Sequence, residues 1–336
     1  MKVTALVNGL AAIVAVAELT ACSGGAQAPV VFNASQSTLR PADADDGSSW
    51  MAPEAKKKDL LYVSDYSSPH RSNSVWVYSY PEGKLVGKLS GFREPAGQCV
   101  DKAGDVFVTD FGASRILEYA HGGTSPINTL DDSGYAPQDC SIDPTTGNLA
   151  VVNYLSLYSS RFGPGNVAIY PNAIGLPTYY SAPNVAIYFY CGYDNSGNLY
   201  VDGGGRGYWG FAELLRGASS LTDLTLNQKF KLPGAIQWDG SHLAVGDQDA
   251  HAIYEFAING SKGTKVGTTP LVGSSHVAQF WIQDGRVIAP DALFTKRHHL
   301  RGRKRINFYQ YPTGGSPTKI ITGVRDPVGA TVSSAK

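Results

Sequence analysis

Residues 91–123 read GFREPAGQCVDKAGDVFVTDFGASRILEYAHGG, and this stretch decides the fold of the chain. A first run ends at Asp101 and a glycine-containing turn follows, after which the alternating run Val106–Val108 leads to Asp110. Because successive side chains of a β-strand point to opposite faces, this alternation predicts a strand. A further run at Arg115–Tyr119 completes a meander of three strands. Meanders repeated along a chain predict a propeller.

The aspartate that ends the first run recurs roughly every 45 residues along the chain, as expected of blade repeats. Its copies are Asp101, Asp143, Asp194, Asp239 and Asp284. One more second strand begins at Leu60 with no first strand before it, and Pro327–Val332 resembles Pro95–Val100. The sequence therefore predicts an all-β, six-bladed β-propeller over residues 58–335, with the first blade closed by the C-terminal strand. Closure of this kind pairs sheet edges that would otherwise stay open.

The repeats resemble those of NHL-type six-bladed propellers, which run Pro-x-Gly-x-x-x-Asp and then Gly-x-(apolar)-Tyr-Val-x-Asp. Pro95–Asp101 and Gly197–Asp202 carry this resemblance. It implies the propeller architecture over most of the chain. The same fold occurs in gluconolactonase-like enzymes and in many binding modules, so the resemblance by itself selects no activity.

The N-terminus has the features of a targeting segment. The apolar run Leu6–Ala17 is followed by Leu19–Cys22, which resembles the lipobox of bacterial lipoproteins. In that family cleavage precedes the cysteine and the thiol carries lipid, so residues 1–21 are predicted to be a signal peptide and Cys22 the lipidated residue. An ordinary secretory signal or a membrane helix is the alternative, but the run is short for a membrane span. Residues 22–57 are interpreted as a flexible tether.

These features predict a protein of the cell envelope that is anchored to a membrane by lipid and faces the periplasm or the exterior. The chain has 28 basic and 28 acidic residues, so its formal net charge is zero. A neutral chain has no overall attraction to nucleic acid, and we expect no nucleic-acid partner. We expect a monomer that binds a protein, a glycan or an anionic surface ligand.

Six polar residues close the second strands and are interpreted as part of the repeat. They are Asp65, Asp110, Asn153, Asp202, Asp247 and Asp291. A ring of carboxylates can bind a hard cation such as calcium. However, a position filled in every blade is better explained by side chains that cap tight turns. We therefore predict no resident cofactor, with a calcium-like divalent cation as the alternative.

The starts of the first strands hold three carboxylates, Glu94, Asp139 and Asp326, and Asp139 is the most channel-like of them. In the enzymes that share the resemblance, carboxylates and an asparagine converge on one metal at the channel. That likeness implies a candidate metal site of Asp139 with Asn153 or Asp202. Our main hypothesis is a binding or scaffold module, and the alternative is a metal-dependent, lactonase-like hydrolase.

The loops between second and third strands carry the most unusual residues. The last of them contains KRHHLRGRKR over residues 296–305, a run that either binds an anionic ligand or is merely solvated. Its candidate ligand-binding residues are Lys296, Arg297, His298, Arg301 and Arg303. Tyr154 and Trp209 lie in equivalent loops and either stack on a ligand or anchor the loop. Gly203–Gly207 is interpreted as a flexible loop rather than a nucleotide site.

Cys99, Cys140 and Cys191 all lie in first strands. Counted back from the following aspartate, Cys99 points the opposite way from the other two. An exported protein can form disulfides, but first strands splay apart around a channel. We therefore expect three buried thiols rather than a bridge.

Overall fold

The computed structural model describes residues 47–66, 73–157, 163–205, 207–292 and 304–336. In these ranges the chain is nearly all β, and its strands form six sheets that are the blades of a propeller. Short 3₁₀ turns occur at Ala55–Lys57, Phe111–Ala113 and Pro171–Ala173. Within the described ranges, no helix has the length and apolar character needed to cross a membrane. The prediction of a six-bladed, all-β propeller is confirmed.

The first three blades are built from the following strands. Blade 1 contains β1 (Trp50–Met51), β2 (Leu60–Asp65), β3 (Asn73–Ser79), β4 (Leu85–Phe92) and the C-terminal strand β26 (Pro327–Ser333). Blade 2 contains β5 (Pro95–Val100), β6 (Val106–Asp110), β7 (Arg115–Tyr119) and β8 (Asn128–Asp131). Blade 3 contains β9 (Tyr135–Ile142), β10 (Leu149–Ser156), β11 (Gly163–Tyr170) and β12 (Thr178–Tyr180).

The other three blades repeat this order. Blade 4 contains β13 (Ile187–Tyr193), β14 (Leu199–Gly204), β15 (Trp209–Leu214) and β16 (Thr222–Asp223). Blade 5 contains β17 (Thr225–Leu226), β18 (Pro233–Trp238), β19 (Leu243–Asp247), β20 (Ala252–Asn259) and β21 (Lys262–Pro270). Blade 6 contains β22 (Trp281–Gln283), β23 (Arg286–Asp291), β24 (Arg305–Gln310) and β25 (Lys319–Thr322). The inner strands that surround the channel are β26, β5, β9, β13, β18 and β22.

The C-terminal strand closes the ring, as the sequence predicts. β26 pairs antiparallel with β2, from Leu60 opposite Ser333 to Asp65 opposite Pro327. The hydroxyl of Ser333 also donates to the carbonyl of Gly104 in blade 2, at 2.6 Å. The two ends of the chain therefore complete blade 1 together.

A segment from the predicted tether joins the outer edge of blade 1. Trp50 pairs with Lys88 and Met51 pairs with Gly87 of β4. Gly87 leaves the space that Met51 fills, because a Cβ at this position would collide with the Met51 sulfur. The chain is therefore folded onto the propeller from Trp50 onward.

Alternating side chains of one strand belong to two different cores. Val106 and Val108 of β6 are buried in a cluster with blade 1, and Phe107 between them is buried in a cluster with blade 3. Burial of each large apolar side chain contributes about 1.5–3 kcal/mol. The period-2 pattern that predicts the strands thus also explains how neighbouring blades are held together.

The expectation of three free thiols is wrong, because Cys99 and Cys140 form a disulfide. Their Cα atoms are 5.6 Å apart on the neighbouring inner strands β5 and β9. The opposite orientations inferred from the sequence make the two side chains face each other across the gap between two blades. Inner strands approach one another closely enough at the channel for a bridge. Cys191 is buried and unbridged.

The propeller has two faces, and the second strands begin on one face and end on the other. We call the face on which the second strands end the cap face, since Asp65 and its equivalents lie there. We call the opposite face the turn face. It carries the turns that begin at Asp101 and its equivalents, and these aspartates cap their own turns: Asp101 Oδ1, for example, accepts from the backbone N–H groups of Ala103 and Asp105 at 2.8 Å.

Candidate functional site

Four blades carry the same capping carboxylate at the cap face. In blade 2, Asp110 Oδ1 accepts hydrogen bonds from the backbone N–H groups of Arg93 (2.9 Å) and Glu94 (2.8 Å). These donors lie in the segment that leads into the inner strand, which we call the lead-in loop. The same pairing joins Asp65 to Arg325 and Asp326, Asp247 to Lys231 and Leu232, and Asp291 to Ser275 and His276. The capping interpretation is confirmed for blades 1, 2, 5 and 6.

Blade 4 has no capping side chain, and the assignment of Asp202 to the ring is wrong. The register places Asp110 opposite Pro95 in blade 2, whereas in blade 4 Gly203 lies opposite Tyr188. Asp202 is one residue earlier, so its side chain points to the other face of β14. A Cβ at Gly203 would collide with the carbonyl oxygen of Ile187, so only glycine fits there. The backbone holds the lead-in loop instead, with Ala186 N–H donating to the Gly204 carbonyl at 2.9 Å.

Blade 3 has an asparagine at the capping position, and its carboxylate has moved to the lead-in loop. Asn153 Nδ2 donates to Asn166 Oδ1 (2.9 Å) and to Asp132 Oδ1 (3.4 Å). The Tyr170 hydroxyl also donates to Asp132 Oδ1, at 3.2 Å. Burial raises the pKa of Asp132 to about 7, although the two hydrogen bonds oppose that rise. Asp132 Oδ2 and Asn153 Oδ1 are buried without a described partner.

A cavity of about 580 Å³ opens over blade 4, with Tyr154 of blade 3 on one side and residues 228–230 of the blade 5 lead-in loop on the other. A volume of this size falls in the range of small-molecule and side-chain binding pockets. The residues that line it are Tyr154, Ile187, Phe189, Gly204, Gly205, Gly207, Tyr208, Trp209, Phe211, Gln228, Lys229 and Phe230. The structure thus brings together Tyr154 and Trp209, the two aromatic residues that the sequence singled out.

The aromatic rings of the cavity form a continuous wall. Phe189 lies between the two predicted residues, with its ring 5.9 Å from Tyr154 in a nearly parallel arrangement and 6.0 Å from Trp209. Phe211 and Phe230 contact each other at 4.8 Å between ring centroids and are buried. The indole N–H of Trp209 donates to the Lys231 carbonyl at 2.9 Å, which fixes the orientation of its ring. Trp209 therefore anchors its loop and also lines a cavity, while its stacking on a ligand stays a prediction.

Gly204 keeps the cavity open. A Cβ built on this residue would lie 3.7 Å from both Phe189 and Trp209, which is ordinary van der Waals contact. A larger side chain on that Cβ would extend into the space between the two rings. The glycine run that the sequence assigned to a flexible loop begins within a strand, since Gly203 and Gly204 belong to β14.

The chemistry of the lining favours an apolar ligand group that is neutral or negatively charged. Half of the described lining residues are aromatic, and the ionisable side chains among them are those of Tyr154, Tyr208 and Lys229, with no carboxylate. Burial raises the pKa of Tyr154, so its hydroxyl is neutral at physiological pH. Tyr208 is 54% exposed and forms part of the rim.

Asp139 lies at the channel axis, where it forms a plug with a glutamine. Gln279 Nε2 donates to Asp139 Oδ1 at 2.6 Å, and Gln279 Oε1 accepts from Ala330 N–H at 2.9 Å. Gly97 and Gly329 make room for the plug, because a Cβ at either would collide with the Asp139 carboxylate or with Gln279. A channel cavity of about 210 Å³ includes Asp139 and the glutamine in its lining.

Asp139 and Asp202 interact electrostatically, while Asn153 has its contacts elsewhere. Burial raises the pKa of Asp139 well above its usual range, and burial together with the charge of Asp139 does the same for Asp202. Burial therefore disfavours the deprotonated carboxylates that a cation requires as ligands. The described partners of Asn153 are Asp132 and Asn166. The metal set of Asp139 with Asn153 or Asp202 stays a prediction.

The remaining predicted site residues lie outside the described part of the chain. These are Cys22 and the basic residues Lys296, Arg297, His298, Arg301 and Arg303. The strands on either side of the basic run end at Asp291 and begin at Arg305. Both flanking residues are at the cap face, where Arg305 Nε lies 3.4 Å from Asp291 Oδ2.

Sequence reasoning missed most of the cavity wall. Phe189, Phe211 and Phe230 occupy strand and loop positions whose aromatic character is equally typical of a propeller core. Lys229 is in the lead-in loop of blade 5, for which the sequence shows no repeat landmark. One signal was available: the capping position holds an asparagine in blade 3.

Comparison with known structures supports the fold. No known protein family and no curated protein matches the sequence. A chain of the nidogen/laminin complex is similar, with a TM-score of 0.62, 12% identity, and coverage of 83% of this chain and 99% of that one. A protein of unknown function from Bacteroides caccae has a TM-score of 0.61 and 13% identity, with coverage of 82% and 98%. A streptogramin B lyase has a TM-score of 0.51 and 14% identity, with coverage of 83% and 78%. At these identities the likeness concerns the fold alone.

Proposed function

We propose that this chain is a lipid-anchored, NHL-type propeller of the cell envelope that binds a protein partner through the aromatic cavity of blades 3 and 4. A peptide segment of the partner inserts an aromatic or branched apolar side chain between Phe189 and Trp209. The observation that carries the proposal is the convergence of Tyr154, Phe189 and Trp209 on one open cavity.

The physical basis is burial of apolar surface in a preformed wall. Aromatic rings give a large contact area with little loss of conformational freedom, and the residues that dominate protein interfaces are often Trp and Tyr. The floor of Phe211 and Phe230 is already packed, so binding needs no repacking of the core. Lys229 at the edge favours an acidic residue beside the inserted side chain.

A protein partner suits this lining better than a sugar. Sugar recognition needs several hydrogen-bonding groups around the ring, and the described lining offers mainly aromatic and aliphatic carbon. Among structures with the same fold, the nidogen/laminin complex is an example of a propeller-like chain in a protein assembly. The anchor at Cys22 would hold this face within reach of envelope proteins. The basic run from Lys296 would add attraction to an acidic partner.

The test is selection of peptides on the purified chain from a phage-displayed random library. We expect enriched peptides that contain an aromatic or branched apolar residue next to an acidic one. Trp209→Ala should weaken their binding by about 10-fold or more, since truncation of an aromatic hot spot typically costs about 2 kcal/mol. Titration calorimetry with a synthetic copy of the selected peptide measures the change.

Tyr179→Ala is the matched control. Tyr179 is 45% exposed in β12, and its ring contacts Tyr135 at 5.1 Å, outside the cavity. The peptide should bind this variant as tightly as the wild type. Equal binding to the wild type and to Trp209→Ala would contradict the proposal, as would oligosaccharides that bind in place of peptides. Circular dichroism verifies that both variants are folded.

The hydrolase alternative makes a different prediction. It requires a metal on Asp139, and its support is the family resemblance together with the lyase among the similar structures. Hydrolysis of a lactone probe such as gluconolactone by the wild type, lost in Asp139→Asn, would favour it over a binding module.

A further inference from the structure

Three side chains with metal-ligating atoms meet on the turn face of blade 5, far along the chain from the predicted metal residues. Asp239, His242 and Glu255 each offer a ligand atom, and these atoms all lie within 4.8 Å of one another. Asp239 and His242 belong to the turn between β18 and β19, and Glu255 belongs to β20. The group combines an imidazole with two carboxylates rather than carboxylates alone.

Asp239 has one oxygen for the turn and one for the cluster. Its Oδ1 accepts from the backbone N–H groups of Ser241 (2.8 Å) and His242 (2.7 Å), as in the other blades. Its Oδ2 accepts from the hydroxyl of Tyr311 in blade 6, at 2.6 Å. His242 Nδ1 lies 3.9 Å from the same Oδ2. This separation is too long for a hydrogen bond, so the turn does not need the imidazole.

In blade 4, a hydrogen bond joins the first two of the same three positions. Asp194 is its turn aspartate, Asn198 precedes the second strand as His242 does, and Glu213 lies opposite Tyr200 as Glu255 lies opposite Ala244. There Asn198 Nδ2 donates to Asp194 Oδ2 at 2.8 Å. An amide donates to the carboxylate in blade 4, whereas blade 5 places an imidazole ring beside it.

The carboxylate of Glu255 is fixed by its neighbours. It is only 7% exposed, and its Oε1 accepts from the Thr269 hydroxyl at 3.0 Å. Gly267 leaves the room that its carboxylate fills, because a Cβ there would collide with it. Among the described residues, no Lys or Arg makes an ion pair with Asp239 or Glu255. Two carboxylates thus face one imidazole without a neutralising cation from the described chain.

We propose that Asp239, His242 and Glu255 bind a divalent transition-metal ion of the zinc class. Zinc bonds to imidazole nitrogen and carboxylate oxygen are about 2.0–2.2 Å long, so two ligands of one ion stand about 3–4 Å apart. The 3.9 Å between His242 Nδ1 and Asp239 Oδ2 fits that spacing. Mixed nitrogen and oxygen ligands favour zinc over calcium or magnesium, which take oxygen ligands.

Two features surround the proposed site. The Tyr311 hydroxyl orients the Asp239 carboxylate, which is the usual role of an outer hydrogen-bond partner of a metal ligand. The side chain of His242 is 37% exposed, so a fourth ligand can reach the ion from solvent. The ion would join the turn of blade 5 to its third strand and, through Tyr311, to blade 6.

The experiment is equilibrium dialysis of the purified, EDTA-treated chain against zinc chloride, with metal content measured by mass spectrometry. We expect the wild type to bind one more equivalent of zinc than His242→Gln. Glu213→Gln is the matched control, since it alters the equivalent glutamate of blade 4, and it should bind as the wild type does. Tyr311→Phe should weaken binding by about 10-fold. Cobalt(II) should give the wild type a visible absorption band that His242→Gln lacks.

The contrary results are equally definite. Equal zinc content in the wild type and His242→Gln, or a wild type without the cobalt band, would overturn the proposal. Loss of zinc in Asp139→Asn but not in His242→Gln would assign the metal to the channel instead. The His242 side chain lies partly in solvent, so its replacement leaves the core intact, and circular dichroism in EDTA verifies this.

Discussion

Four blades, 1, 2, 5 and 6, hold their lead-in loops in the same way. Blades 3 and 4 hold theirs differently. In the first group a buried aspartate at the end of the second strand accepts backbone N–H groups of the lead-in loop. Blade 3 has Asn153 at this position and blade 4 has Gly203. The aromatic cavity lies over blade 4, between Tyr154 of blade 3 and Phe230 of the blade 5 lead-in loop.

The difference shows which blades have replaced the capping aspartate of the repeat. A capping carboxylate fixes the lead-in loop across the end of the second strand. In blade 4 the strands β13 and β14 instead stay paired as far as Gly204, and the loop is held by the backbone. The space beside the next residue, Gly204, is bordered by Phe189 and Trp209. A departure from the repeat is therefore a better indication of a site here than any residue the blades share.

The largest expected effect concerns the displaced carboxylate of blade 3. Because burial raises the pKa of Asp132 from 3.8 to about 7, the folded chain holds this proton more tightly than the unfolded chain. The stabilisation is fully present below about pH 4 and is lost as the pH rises through about 7. Relative to the wild type, the free energy of unfolding of Asp132→Asn should rise between pH 4 and pH 8, by up to about 4 kcal/mol. Urea denaturation across this pH range measures it.

The neighbouring aspartate provides the control for this experiment. Asp131 is exposed, and its carboxylate accepts from the Ser133 hydroxyl in the same turn. Asp131→Asn should keep most of the pH dependence of the wild type, because the charge of Asp131 is the smallest of the causes that shift the pKa of Asp132. If Asp132→Asn did so as well, Asp132 would not titrate as a buried group, and the contrast between blade 3 and the regular blades would lose its electrostatic basis.

We expect a smaller loss of stability when the asparagine of blade 3 is replaced than when a capping aspartate is replaced. Asp110→Ala leaves two buried backbone N–H groups and the Arg115 guanidinium without their acceptor, so we expect the free energy of unfolding to fall by about 3 kcal/mol. Asn153→Ala removes only side-chain hydrogen bonds and should cost about 1 kcal/mol. Denaturant titration followed by tryptophan fluorescence compares the two. Equal losses would show that Asn153 caps its blade as Asp110 does.

The fold could be predicted from the sequence because its determinants are local and repeated. Alternation at Val106–Val108, a glycine turn and an aspartate at a fixed step recur often enough to count the blades. The similarity of Pro327–Val332 to Pro95–Val100 was sufficient to predict the closure of blade 1. Each of these signals depends on residues close together in the chain, which a sequence displays directly.

The site could be predicted only in part, because it depends on contacts between distant segments. Tyr154 and Trp209 stood out as aromatic loop residues, but their proximity results from the packing of β10 against β13 and β14. The repeat pattern in the sequence places Asp202 at the capping position. In blade 4 that position is one residue later, and only the pairing register of β13 with β14 shows this. The disulfide was missed for a similar reason: opposite side-chain orientations favour a bridge only when two inner strands are known to face each other.

The central claim is that the cavity of blades 3 and 4, and not the shared template, binds the partner. Gly204→Leu tests it most directly, because a leucine there would fill the space beside Phe189 and Trp209 while the nearest contacts of its Cβ stay at 3.7 Å. The measurement is the affinity of the selected peptide for this variant, by titration calorimetry. We predict the wild-type melting temperature to within a few degrees and an affinity at least about 10-fold lower. Wild-type affinity in a folded Gly204→Leu variant would contradict the account.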